Sequence, residues 1–349
     1  LMILTQNLLI ACIFSISLSF ILLYFFNKNN LLLDQISSSK HKQLTKVGSP
    51  NKVSVCGGII IYLCCILFFG NELFYLNCFA TFILTIGILS DINKLNSPKV
   101  RIICQFLSVL FLLLFDTDLA LTDLRVNFIN NILETKIFSL LFTIFCILIL
   151  INGTNFLDGI NTLVVGYYLL VLMTVIFTAT HFNLYFNLNI FYLMIFLCIA
   201  FFFNFFNKIY LGDSGSYLIS FFISFFILDF VSMNNLISPY FICLLLWYPA
   251  FENLFSILRR TFKKTKLDQA DQDHLHQMIF KVLYNKLFFN NKYLNTIVGI
   301  LINLYNLIIF SISYKYYLNT KYLIFFIFIN IYFYLLLYFF MKKKLNHLN

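Results

Sequence analysis

Three aspartates are the residues best placed for chemistry, because Asp91, Asp158 and Asp213 each lie where a hydrophobic run meets a polar segment. An ionised carboxylate at a membrane boundary is costly unless it is paired, hydrated or bound to a metal. Magnesium favours one or two carboxylates together with phosphate oxygens and waters. One such aspartate alone is explained more simply as a loop acid or a helix cap. Three that converge predict a divalent cation and a diphosphate substrate.

Gly212 and Gly215 flank Asp213 just before a hydrophobic run. Glycine permits close approach of the backbone, and the N-terminus of a helix favours anions. The pattern therefore predicts a corner that binds phosphate and metal. A simple turn with an Asp or Ser cap is the alternative.

Two histidines, His274 and His276, lie in the longest and most basic polar segment. We predict that they donate hydrogen bonds to a nucleotide or a phosphate. Zinc is the alternative ligand. It needs a matching Cys or His pair, and the other polar segments predicted to lie on the same side of the membrane lack one.

The elements that must position these side chains are hydrophobic helices. Hydrophobic residues make up 61% of the 349 residues and charged residues 11%, whereas soluble domains carry about 25% charged residues. Because a spanning helix needs about 20 apolar residues, we predict an all-α polytopic protein with about eleven transmembrane helices in a single integral-membrane domain, residues 1–349. The predicted runs are 3–26, 53–70, 73–90, 101–115, 137–151, 162–180, 189–206, 216–231, 237–258, 293–312 and 321–341.

The distribution of basic residues predicts the orientation. With the N-terminus outside and the C-terminus cytoplasmic, only four of the 24 Lys and Arg residues fall on the outer side: Arg125, Lys136, Lys315 and Lys321. This asymmetry follows the excess of basic residues in cytoplasmic loops, and it argues against nucleic acid as the reason for the net charge of +10. The predicted cytoplasmic segments, which also hold the polar clusters, are 27–52, 91–101, 152–161, 207–215 and 259–292.

Two local features carry further expectations. Pro249 lies inside the ninth run, where a proline removes a backbone donor and predicts a kink. The alternating residues 124–128 predict a short hairpin on the outer surface.

The motifs together resemble the polyprenyl-phosphate N-acetylhexosamine-1-phosphate transferases, the glycosyltransferase family 4 type. The resemblance extends from about Gly57 to Gln277, and it is nearest to the undecaprenyl-phosphate GlcNAc-1-phosphate transferase branch. It rests on the following segments: Gly57-Gly58, 87–105, 152–161, 204–216 and 274–276.

The resemblance implies a reaction at the cytoplasmic face of a bacterial inner membrane. A UDP-linked HexNAc, with GlcNAc favoured, and undecaprenyl phosphate would give the lipid diphospho-sugar and UMP, as a first membrane step of cell-wall or surface polysaccharide synthesis. The implied cofactor is Mg²⁺, with Mn²⁺ as the alternative. Membrane lipid is a further partner, and a homodimer stays open.

The family motifs assign roles residue by residue. Asp213 would be the principal metal ligand with Asp158, while Asp91 would lie beside the acceptor phosphate. One further set follows from the same match. The groups that would bind or neutralise substrate are Lys94, Arg101, Asn152, Asn155, Lys208, His274 and His276.

The chain also departs from the family pattern. Ser90 stands where the family typically has the first of two aspartates, Thr162 where many members have Gly, and Gln277 where a further histidine is common. An acceptor phosphate with a second pKa near 6 is already mostly dianionic at neutral pH, so we still predict activity. The alternatives are a catalytically inactive scaffold and a membrane transporter.

Overall fold

The structure is a computed structural model that describes residues 2–35, 52–263, 273–287 and 293–347. Helices dominate these residues, as the composition predicts. In chain order they are α1 Met2–Lys28, α2 Gly57–Phe68, α3 Phe74–Asp91, α4 Pro98–Phe115, α5 Asn127–Leu133, α6 Lys136–Leu157, α7 Leu163–Phe182, α8 Asn189–Phe205, α9 Gly212–Ser232, α10 Pro239–Leu245, α11 Trp247–Phe262, α12 Leu275–Leu287, α13 Leu294–Ser313 and α14 Thr320–Asn346.

Each of the eleven predicted runs coincides with a helix or a helix pair. In the described part of the chain, eight helices are long and apolar enough to span a membrane, and the bent pair α10–α11 would make nine. The helices α2 and α8 are apolar but shorter. The protein is thus a polytopic, mainly α-helical membrane protein, whereas the count of eleven and the orientation stay predictions.

Helix α9 forms the centre of the bundle. Nearly all its side chains are buried, and it packs against α2, α3 and α6. A helix that is apolar on all sides is stable only inside such a shell. The N-terminus of α9, which carries Asp213, is therefore held by the ends of the surrounding helices.

The chain bends by 76° between α10 and α11, which confirms the kink predicted for the ninth run. Pro249 lies in the first turn of α11 and has no N–H for the carbonyl of Leu245, four residues earlier. The hydroxyl of Tyr167 donates a 2.7 Å hydrogen bond to that carbonyl. The bend thus leaves this acceptor satisfied inside the bundle.

A small sheet adds strand structure to the predicted all-α fold. Strand β1, Leu33–Gln35, pairs antiparallel with β2, Lys52–Ser54, and Ser54 forms a parallel bridge with Ile209. The amide of Tyr210 donates to the Ser54 carbonyl over 2.9 Å. The sheet therefore braces the segment that leads into Asp213.

The predicted hairpin at residues 124–128 is wrong, since α5 begins at Asn127. Side chains fold this segment locally: Asn130 Oδ1 accepts from the Leu124 amide over 2.9 Å, and Asn130 Nδ2 donates to Asp123 Oδ1 over 2.7 Å. Such side-chain bonds give the backbone an alternative to a strand ladder.

The predicted cytoplasmic segments are partly helix ends and not loops. Helix α6 continues to Leu157, so most of the segment 152–161 is helical, and α4 already begins at Pro98. Parts of two predicted segments, residues 36–51 and 264–292, lie outside the described residues, with 273–287 excepted.

Candidate active site

The end of the bundle where α3 and α6 finish and α4 and α9 begin holds an ion pair. Arg101 Nη1 lies 3.0 Å from Asp213 Oδ2. The Ser90 hydroxyl donates to the same oxygen over 2.5 Å, and Arg101 Nη1 donates to Ser90 Oγ over 2.8 Å. The exposed fractions of the Arg101 and Asp213 side chains are 21% and 17%. One carboxylate oxygen is therefore fixed by two donors at a half-buried position.

Asp91 contacts the backbone of the same helix end. Its Oδ1 accepts from the Asp213 amide over 2.8 Å, and its Oδ2 accepts from the Ser214 amide over 3.1 Å. Both amides belong to the first turn of α9, where N–H groups have no intrahelical partner. The carboxylate of Asp91 thus occupies the helix end that the sequence predicts for a phosphate.

The hydroxyl of Tyr217 connects helix α6 to the site around Asp213. Asn155 Nδ2 donates to the Tyr217 hydroxyl over 2.9 Å, and Arg101 Nη1 donates to that hydroxyl over 3.3 Å. Asp158 follows Asn155 by three residues and Asp213 precedes Tyr217 by four. Because α6 ends where α9 begins, both aspartates lie about one turn closer to the same end of the bundle. Asp158 is half-buried there, at the end of α6.

Asn152 extends this contact between α4 and α6. Its Nδ2 donates to Gln105 Oε1 over 3.1 Å and to the Leu148 carbonyl over 2.9 Å. Gln105 follows Arg101 by four residues and so lies on the same face of α4. Asn152 therefore holds α6 against the helix that carries Arg101, and its predicted contact with substrate stays a prediction.

The two lysines predicted to neutralise phosphate differ from Arg101. Lys94 and Lys208 are exposed, at the ends of α3 and α8 that border the site. Neither side chain forms a hydrogen bond or an ion pair within residues 2–35, 52–263, 273–287 and 293–347. Both are thus available to an anionic ligand.

The two histidines are buried, with exposed fractions of 3% for His274 and 0% for His276. His274 Nδ1 donates to Glu252 Oε1 over 2.9 Å, and the hydroxyl of Tyr334 donates to Glu252 Oε2 over 2.6 Å. This network fixes the start of α12 against α11 and α14. In this conformation the structure does not bring either ring to the surface for a nucleotide.

His276 lies close to the turn that follows α6. Its Nε2 is 3.6 Å from the point that a Cβ would occupy if Gly159 carried a side chain. Its two ring nitrogens lack hydrogen-bond partners of normal geometry within the described residues. Burial lowers the pKa of His276 to about 3, although Glu252 and the backbone of Phe156 oppose this effect. The imidazole is therefore neutral at physiological pH.

Thr162 occupies a position that suits glycine, because its φ is +63°. Its amide donates to Asn204 Oδ1 over 2.5 Å, and its carbonyl accepts from Asn303 Nδ2 over 2.9 Å. The neighbouring Asn161 donates to Asn207 Oδ1 over 2.6 Å. These asparagines hold the turn after Asp158 in place, which explains why a non-glycine residue is tolerated there.

The donor set fits a magnesium ion of the kind that diphosphate substrates bring. Asp213 Oδ2 is engaged, but Asp213 Oδ1 forms no hydrogen bond with any described residue. No group of three or more His, Cys, Asp or Glu side chains suited to a metal is found in the described residues. Sparse carboxylates suit Mg²⁺ bound largely through phosphates and waters. Asp213 would hold the ion, and Asp158 stays a predicted second ligand.

Tyr217 and Gln105 were not predicted from the sequence. Each follows a predicted site residue by four positions, Asp213 in one case and Arg101 in the other. Residues at this spacing share a helix face, so the spacing is the signal that could have identified them. Glu252 offers no such signal, because its partner His274 lies 22 positions later, just before α12.

Two comparisons with known proteins show what this chain is similar to. The sequence model of the family described as "Glycosyl transferase family 4" matches residues 73–231, a range that includes Asp91, Arg101, Asp158 and Asp213. A Bacillus subtilis protein named "Probable undecaprenyl-phosphate N-acetylglucosaminyl 1-phosphate transferase" is 28% identical over 206 residues. That match covers 57% of this chain, and it spans only 56% of the length of the relative. Over the helices that carry the site the chain is thus similar to glycosyl transferase family 4, and over somewhat more than half of its length it is similar to this Bacillus subtilis protein.

Proposed function

We propose that the protein transfers HexNAc-1-phosphate from a UDP-sugar to undecaprenyl phosphate and releases UMP, with Mg²⁺ as the cofactor. The observation that carries the proposal is the state of Asp213, which keeps one oxygen open while Arg101 and Ser90 fix the other. A carboxylate held in this way can accept the metal of a metal-diphosphate without reorganisation.

The reaction forms one phosphorus–oxygen bond and breaks another. An oxygen of the acceptor phosphate attacks the sugar-linked phosphorus of the donor, and the bond from this phosphorus to the UMP oxygen breaks. Bound Mg²⁺ would neutralise the diphosphate charge. Arg101, Lys94 and Lys208 supply positive charge from the chain around the same end of the bundle, and positioning carries the rest of the rate.

A side-chain base beside Asp213 is not required by this scheme. The family position for such a carboxylate holds Ser90, whose hydroxyl donates to Asp213. Because a phosphate monoester is mostly dianionic at neutral pH, the acceptor oxygen needs no deprotonation. The site therefore acts on an acceptor that arrives as a nucleophile.

The finer assignments rest on the named relative. Its name supports undecaprenyl phosphate as acceptor and GlcNAc as sugar. With these substrates, the proposed reaction would occur at the cytoplasmic face of a bacterial inner membrane. The lipid product would then start a cell-wall or surface polysaccharide. The apolar helices of this chain suit an acceptor that enters from the bilayer.

A transfer assay with purified protein tests the proposal. Radiolabelled UDP-GlcNAc or UDP-GalNAc is incubated with undecaprenyl phosphate in the presence of Mg²⁺ or excess chelator. We expect label in the lipid fraction only with Mg²⁺. Folded protein that labels no lipid with any UDP-HexNAc would contradict the proposal.

Ser90 is the observation that favours the second candidate, an inactive scaffold. In that case Arg101 and Asp213 would form only a structural ion pair. Binding of the UDP-sugar without turnover, at wild-type protein stability, is the result that supports the scaffold.

A further inference from the structure

We infer that Asp91 is a positioning residue that caps the first turn of α9 and thereby fixes Asp213, and that it does not act on the substrate. The inference deepens the proposed function and rests on it for its catalytic consequence. Its structural part stands on the contacts between α3 and α9 alone.

Helix α9 lacks a cap of its own. The residue before it is Leu211, which offers no side-chain acceptor. The amides of Asp213 and Ser214 would otherwise be unpaired in the interior, at a cost of about 1–3 kcal/mol each. Asp91 supplies one carboxylate oxygen to each, over 2.8 and 3.1 Å. A negative charge at this end also complements the helix dipole.

Two glycines make room for this contact. A Cβ on Gly212, whose φ is +70°, would lie 2.7 Å from both Asp91 oxygens. A Cβ on Gly87, one turn earlier on α3, would lie 2.3 Å from the Cα of Ser214. Side chains at these positions would separate α3 from the end of α9. A glycine on each of α3 and α9 thus allows the Asp91 carboxylate to lie close to the first turn of α9.

Ser90 and Asp91, which are adjacent on α3, therefore contact different parts of Asp213. Asp91 holds the backbone of Asp213, and Ser90 holds the carboxylate of the same residue over 2.5 Å. Because both Asp91 oxygens accept backbone N–H groups, this helix end is filled by the chain and does not receive a substrate phosphate. We therefore expect the phosphate groups of the substrates to contact Arg101, Lys94 and Lys208.

The test compares Asp91→Asn with Asp91→Ala in the full-length protein, with Asp118→Asn as the exposed control. An Asn side chain keeps one acceptor oxygen and can hold one amide. We expect Asp91→Asn to retain activity within about tenfold of wild type, and Asp91→Ala to lose about a hundredfold or more. The melting temperature should fall in the same order, and Asp118→Asn should match wild type.

The conservative variant separates the two roles. If Asp91 acts on the substrate, Asp91→Asn loses at least about a thousandfold in kcat at an unchanged melting temperature, and the inference is overturned. If Asp91→Ala does not fold, Asp91→Asn alone decides. If the wild-type protein transfers no sugar phosphate, the proposed function fails, while the order of the melting temperatures still tests the cap.

Discussion

The hydroxyl of Ser90 lies 2.5 Å from Asp213 Oδ2 and donates a hydrogen bond to it, while Arg101 Nη1 donates to both Ser90 Oγ and Asp213 Oδ2. A neutral donor thus stands where the resemblance to the polyprenyl-phosphate sugar-1-phosphate transferases leads us to expect a carboxylate. A second carboxylate at this distance would repel Asp213 or share a proton with it. With Ser90, Asp213 stays a single charge opposed by a single guanidinium.

Removal of the Ser90 hydroxyl should slow the enzyme without stopping it. In Ser90→Ala the carboxylate of Asp213 keeps Arg101 but loses one donor, and a hydrogen bond to a charged group contributes about 1.5–3 kcal/mol. We expect kcat to fall about 10- to 100-fold and the melting temperature to fall by a few degrees. A steady-state assay with saturating Mg²⁺ measures this change. A loss beyond about a thousandfold would mean that the hydroxyl takes part in the chemistry.

The buried Glu252 should support the fold more than the reaction. Glu252→Gln removes the charge that His274 and the Leu275 amide face, and breaking a buried pair costs about 3–5 kcal/mol. We expect the melting temperature in detergent to fall by several degrees. Glu72→Gln, at an exposed acid, serves as the control. Equal melting temperatures for the two variants would contradict the assigned role of this network.

Acidification should destabilise the protein through His276. Burial lowers the folded pKa to about 3, whereas the unfolded pKa is about 6.5. The unfolded state therefore binds more protons between these values, and stability is lost as the pH falls below about 6.5. The loss reaches about 2 kcal/mol at pH 5. Melting curves from pH 7 to pH 5 should show a smaller decrease for His276→Gln than for wild type, and parallel decreases would count against the buried neutral ring.

The predicted orientation can be measured with single cysteines. In a variant without the nine native cysteines, Lys94→Cys and Lys136→Cys each place one thiol at an exposed position. If the basic residues set the topology, a membrane-impermeant maleimide added to intact cells labels position 136 only. Labelling of position 94 alone would invert the orientation and place the site outside.

Much of the site could be predicted because its residues lie at helix ends. A hydrophobic run that begins or ends beside Asp91, Asp158 or Asp213 fixes the position of that residue along the axis of the bundle. Because successive helices run in opposite directions, the three aspartates are then expected at the same end. In the structure Arg101 Nη1 lies 3.0 Å from Asp213 Oδ2 at that end. Length and hydrophobicity alone carry this information.

The partners within the site were harder to predict. Asp91 binds backbone amides on a helix more than 100 positions later, and backbone groups leave no mark in the sequence. The hairpin prediction failed because Asp123 and Asn130 satisfy the local backbone, which outweighs five alternating residues. The burial of His274 depends on Glu252 and Tyr334, which tertiary packing alone brings together.

The most direct test of the central claim is the stoichiometry of UMP and lipid-linked sugar phosphate formed by purified wild-type protein, Asp213→Asn and Glu134→Gln. We predict that wild type and the exposed control Glu134→Gln form the two products in a 1:1 ratio with Mg²⁺, and that Asp213→Asn loses at least about a thousandfold in rate, as expected for a metal ligand, while remaining folded. Folded Asp213→Asn that retains wild-type turnover, or wild-type protein that forms UMP without lipid-linked sugar, would contradict the account.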